Sequence, residues 1–127
     1  MKISAAEHIY ATLTNDAGIA KAVGKKIYPI VTKNEVKFPF IVYEKENVIP
    51  VYDKVTCLAV NLDYSIYILS ESYSEAVEIA EMVVNCLDKK KAKYAGYEVV
   101  NAVVSDVPED YVSQTYVQQV RMRFTLK

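Results

Sequence analysis

The sequence predicts an α+β fold: the order α-β-β-β-α-β-β, with two main helices packed on a mostly antiparallel sheet. Three observations carry that reading. Ser72 to Leu87 repeats its apolar residues at helical spacing, with Ala76, Val77, Ile79, Ala80, Val83, Val84 and Leu87 filling one half of the cylinder. Leu62, Tyr64, Ile66 and Ile68 alternate with Asp63, Ser65, Tyr67 and Leu69, the period of a half-buried strand. Val120, Met122, Phe124 and Leu126 do the same against Gln119, Arg121, Arg123 and Thr125. Strands in a row, without a helix between each pair, favour antiparallel pairing over a βαβ sheet.

The elements follow in order. Ser4-Ala5-Ala6-Glu7 has the pattern of a capping box and opens a first helix at about 4–14, with Ala6, Ile9, Tyr10 and Leu13 on one face. Asn15-Asp16 offers a second cap, and 17–23 makes one or two further turns closed by Gly24. Ile27 to Val31 is a β-type run, but Pro29 has no N–H for a ladder, so it is short or at an edge. Thr32 to Lys37 is polar and reads as a loop. Phe40 to Glu44 is the second strand, and Asn47 to Asp53, with Pro50, reads as a turn or a long β-connection. The alternating 62–69 strand and the helix at about 73–88 come next, the latter opened by a second capping box, Ser72-Tyr73-Ser74-Glu75. Its apolar arc is wider than a sheet alone requires, which predicts an additional contact. Tyr97 to Val107 is a strand, Val107 to Asp110 a turn, and Tyr116 to Leu126 the last strand. With no repeat, low-complexity tract or linker, 1–127 reads as one domain.

Composition narrows the function by exclusion. Among 127 residues, 15 Lys+Arg face 16 Asp+Glu, so the basic excess of a dedicated nucleic-acid binder is missing. The longest apolar runs, such as Phe40 to Tyr43, fall far short of the roughly 20 residues a membrane helix needs. The N-terminal residues contain no apolar h-region, so no signal peptide is expected. Cys57 and Cys86 are expected as reduced, buried thiols of a cytosolic protein.

Catalytic chemistry finds little material. His8 is the only histidine and lies off the helix's apolar face, so it reads as a structural, partly solvated residue. Cys57, Cys86 and His8 lack zinc spacing, and Asp106 to Asp110 lacks the order of a calcium loop. Glu75 and Glu78 suit the N-terminal end of a helix dipole. Three glycines give no phosphate-cradling loop. Lys89 to Lys93 reads as a solvated cationic run at a helix C-terminus. No catalytic, cofactor-binding or metal-binding residue is assigned, no cofactor is expected, and the chain is not expected to be an enzyme.

The order of the pieces is itself informative: the opening helix ending at Gly24, then Lys26-Ile27-Tyr28-Pro29, then Phe38-Pro39-Phe40-Ile41-Val42-Tyr43 after a polar loop. Asp63-Tyr64-Ser65-Ile66-Tyr67 and the Ser72 to Leu87 helix follow. In this arrangement the chain resembles the tail-completion (tail terminator, head–tail joining) proteins of tailed bacteriophages and prophages. The resemblance implies a small non-enzymatic α+β subunit that assembles as a ring, typically of six copies. Such a ring caps the tail tube and meets the head or neck connector, so the implied partners are copies of itself, the tube protein and the connector. The implied location is the virion, after assembly in the bacterial host cytoplasm.

On that reading, subunit or partner contacts are expected at Tyr28 and Ile30, at Val48, Ile49, Val51 and Tyr52, and at Arg121 and Arg123. An edge strand, an apolar loop and two regularly spaced guanidiniums are natural interface material. Eleven tyrosines, several at element ends, add the residue type that suits wet interfaces. The residues alone leave a second class open, a small dimeric ligand-binding or regulatory module with a tyrosine-lined pocket between sheet and helices.

Overall fold

The computed structural model describes residues 1–30 and 35–127; Val31 and the start of the expected 32–37 loop lie outside the described residues. The order is α1 (Ala6–Thr14), α2 (Ala17–Val23), β1 (Ile27–Pro29), β2 (Phe40–Tyr52), β3 (Cys57–Ser70), α3 (Tyr73–Leu87), β4 (Ala92–Tyr94), β5 (Tyr97–Asp106), β6 (Glu109–Val112) and β7 (Thr115–Leu126). The strands form one curled sheet in the order β1-β2-β3-β7-β5-β4, with β6 also on β7. β1 runs parallel to β2; the other five pairs are antiparallel. The α+β class therefore holds, with three helices instead of two main ones and with β4 and β6 added to the expected strands.

The alternation at 62–69 and 120–126 works as read. Leu62, Ile66, Ile68, Val120 and Phe124 are fully buried, and they meet Ile9, Leu13, Ile79, Val83 and Leu87 from the helices. Among the described residues this core occupies the space between helices and sheet. The wide arc of α3 is explained by three neighbours, because α3 packs on the sheet and against both α1 and α2.

Four local readings are corrected. The first box does not form: α1 begins at Ala6, its N-cap Ala5 gives no side-chain cap, and the Ala5 amide donates to the Tyr64 hydroxyl at 3.0 Å. Glu7 is drawn away instead, accepting from the Tyr97 hydroxyl at 2.7 Å. Tyr10 faces solvent and His8 is fully buried, the reverse of the expected faces, because Tyr94 of β4 and Phe124 of β7 enclose His8. The stretch 47–52, read as an apolar loop in the contact assignment, continues β2 with a bulge between Lys45 and Asn47, so the β-connection alternative holds and the turn and loop do not. Pro50 fits there because, among the described residues, β1 pairs only with 41–43, leaving that edge of β2 free. Glu109 and Asp110, expected in a turn, open β6 (Glu109–Val112), whose hairpin turn carries Ser113 and Gln114 at φ 51° and 62°.

Other expectations hold. Asp16 caps α2, accepting from the Ile19 amide at 3.1 Å, and Gly24 follows at φ 63°. Ser72 caps α3 by accepting from the Glu75 amide at 3.4 Å, although the Glu75 carboxylate turns to the Ser70 hydroxyl at 2.6 Å. Both cysteines are free, half-buried where full burial was expected, and lie on different elements, β3 and α3.

Candidate interaction surfaces

Two apolar surfaces stand out, one at each end of the sheet. The first is an arm. β3 pairs with β7 from Val60 onward, so, among the described residues, 51–59 of the β2–β3 hairpin form a ribbon of two strands. Val51, Tyr52, Val55 and Leu58 are exposed there, Val55 to 91%, and Ile49 is exposed just before it. Asp53 holds the tip by accepting from the Val55 and Thr56 amides at 3.0 and 2.8 Å, which keeps its carboxyl below the usual carboxylate range. Four exposed apolar side chains on one ribbon, with Ile49 beside them, are more than chance scatter requires.

The second surface is a groove of about 770 Å³ on the sheet face away from the helices. Phe40, Val42, Leu69, Val112 and Val117 give it an apolar floor, with Ile30 at one margin and Glu109 and Asp110 at another. Ile30 is 66% exposed and sits at φ 63°, pinned by its amide donating to the Tyr43 carbonyl at 2.8 Å. Glu109 accepts from the Tyr73 hydroxyl at 2.9 Å and from the Gln118 amide group at 3.0 Å; these two bonds, Gln118 first, hold its carboxyl below the usual range.

Between arm and groove runs a polar ladder. Thr125 donates to Asn61, Gln119 to Ser65, and Ser65 to Glu46. Arg123 binds Asp63, and Arg121 reaches Asp106 at 3.3 Å. The two guanidiniums expected at an interface thus already have carboxylate partners within the chain.

The expected contact residues separate accordingly. Ile30 and Arg121 come together at the groove, a long-range neighbourhood that spacing does not reveal. Val51 and Tyr52 share the arm, with Ile49 just before it. Val48, on the opposite side of the strand, packs against the core, and Tyr28 is half-buried in β1. The sequence reading missed Leu58 and the β6 margin. The first lay in a stretch without clear alternation, and the second depends on pairing with β7.

Chemistry elsewhere is sparse. Among the described residues no three or more His, Cys, Asp or Glu side chains are grouped to hold a metal ion, and no helix is long and apolar enough to cross a membrane. Among the described residues, His8 is the one with a buried side-chain polar atom left unpaired. Its Nδ1 is hydrogen-bonded to the Tyr94 hydroxyl at 2.8 Å, while its Nε2 has no partner, and burial, then Lys90, push its pKa down. It is enclosed by Tyr94 and Phe124, with no open face to a substrate.

Comparison with known proteins adds the final observations. Among solved structures, the fold is similar to a chain of the virion of a native gene transfer agent (GTA) particle. The TM-score is 0.82 at 18% identity, over 93% of this chain and 90% of that one. Curated protein sequences give no match. The family model of the tail completion protein gp17 matches residues 7–126, from the first helix to the end of the last strand. The chain belongs to the tail completion protein gp17 family.

Proposed function

We propose that this chain is the ring-forming subunit that terminates a phage or prophage tail tube and joins it to the head or neck connector. The observation that carries the reading is the family match across residues 7–126. Family membership makes the protein a structural component of a phage tail, with its place in the virion. The ring, in six copies, the tube and the connector are the finer proposal.

The surfaces support it. A ring subunit needs apolar area beyond its own core and little net charge to repel its copies. The arm and the groove supply the first, and a formal net charge of −1 the second. The contact surface is proposed to include Ile30, Ile49, Val51 and Tyr52, with Tyr28, Val48, Arg121 and Arg123 nearer its margins.

Particle assembly without this chain tests the proposal. Tails made in its absence are expected to fail to join filled heads, and adding the purified protein is expected to restore joining. Normal, joined particles in its absence would sink the reading.

A further inference from the structure

The arm and the groove complement each other, and the strand register keeps them apart within one molecule. The groove floor includes Val42 near the start of β2, and the arm tip follows Tyr52 at its end. Ten residues at about 3.3 Å each separate the two by roughly 33 Å. Strand β2 is paired with β3 along that whole length, so it does not double back. An arm therefore fills a groove only on another copy.

Resting on the ring reading above, we propose that the arm of each copy, led by Tyr52, Val55 and Leu58, docks in the groove of the next. Each subunit then gives one arm and receives one. Such a head-to-tail contact uses two different patches and propagates around a closed ring when its rotation closes. A symmetric dimer would instead present the same patch twice.

Charge favours the same occupant. Lys54 at the arm tip has no ion pair among the described residues, and Glu109 and Asp110 stand at the groove margin. Arg121, the groove's own cation, is paired with Asp106, which reduces its repulsion of an incoming lysine. The apolar parts match as well: exposed Val and Tyr side chains on the arm meet a floor of Phe, Val and Leu. Docking removes both from water, the main driving term in association.

Cysteine trapping tests the contact in a chain carrying Cys57→Ser and Cys86→Ser. Val55→Cys marks the arm and Val112→Cys the groove; both positions are exposed, 91% and 52%, so neither substitution opens the core. The doubly marked chain, oxidised mildly at a concentration where the parent forms rings, alone or on tail tubes, is expected to give a ladder of linked oligomers. Mixing the two singly marked chains is expected to give linked pairs and nothing longer, because each then has one marked surface. A charge pair adds a second readout. Lys54→Glu is expected to raise the assembly concentration several-fold, and Asp110→Lys in the same chain to restore it.

Rings by electron microscopy without any ladder would overturn the arm-in-groove contact and leave the ring standing. Dimers from Val55→Cys alone would overturn it too, in favour of tip-to-tip pairing, as would linkage of the arm to the tube protein only. If the parent forms no ring in either setting and no ladder appears, the ring reading fails and this contact falls with it.

Discussion

Arg123 grips Asp63 across the β3–β7 pair with two nitrogens, Nε at 2.8 Å and a terminal Nη at 3.1 Å. The Arg123 hydrogen bond, aided by one from Asn47, holds the Asp63 carboxyl below the usual carboxylate range. Because the folded pKa is depressed, the stabilisation is complete above the unfolded value near 4 and is lost as pH falls through the folded one. Both groups are partly exposed, so Arg123→Ala is expected to cost less than about 1 kcal/mol at neutral pH. Urea melts at pH 7 and pH 3 should show the parent and variant converging in acid. A constant gap would show that the loss is packing, not charge.

His8 gives a pH dependence of opposite origin. Burial, then Lys90, lowers its folded pKa below the unfolded value near 6.5. The unfolded chain therefore takes up a proton first, and stability declines as pH falls below 6.5, at up to about 1.4 kcal/mol per pH unit. Above that pH the term is silent. His8→Leu should abolish this step in a melting profile between pH 7.5 and 5; an unchanged profile would remove His8 from the account.

The two serine patterns separate experimentally. Ser72 caps α3 directly, so Ser72→Ala is expected to cost toward the low end of about 0.5–2 kcal/mol, given its long 3.4 Å contact. Ser4 accepts only from the Ala6 amide, at 3.2 Å, outside the cap position, and Ser4→Ala should cost clearly less. Equal losses in chemical denaturation would contradict the assigned caps.

The β6–β7 turn invites a gain. Ser113 and Gln114 both sit at positive φ, where Asn and Gly are at home and other residues are strained. Replacing the pair by Asn-Gly is expected to stabilise the chain by about 1 kcal/mol. A lower denaturation midpoint would mean that one of these side chains makes a contact worth more than the strain.

At the centre, Phe124 is fully buried and meets Tyr64 and His8 edge to face, with ring centres at 5.7 and 5.6 Å. Phe124→Ala should cost about 3–5 kcal/mol through lost transfer energy and the cavity left behind. A loss under about 1 kcal/mol would show that the site collapses.

What the sequence disclosed divides by the range of the interactions. The alternation of β3 and β7 and the arc of α3 are local periodicities with one strong periodic signal each, and their core residues were legible. Asp16 and Ser72 were legible caps because their partners lie three residues ahead. Ser4 had the same pattern, yet Tyr64, 59 positions away, takes the Ala5 amide and moves the helix start. The faces of α1 were misread for a similar reason: Tyr94 reaches His8 from a strand that no local pattern announces. The interface candidates were half legible. Residue type marked the apolar arm, but the groove is assembled from β2, β3, β6 and β7, and only tertiary pairing brings Ile30 to Arg121. Pro50 leaves turn and strand both open, because a turn residue is also accepted on the unpaired edge of a strand.

The two-stranded arm has a consequence for the free subunit. A lone ribbon of two strands is at best marginally stable in water. Under the docking proposed above, amide exchange at 51–59 is expected to become a counter of neighbours: fast in a solitary chain, slow in an assembled one. The degree of assembly can be followed from within a single hairpin, without an image of the particle.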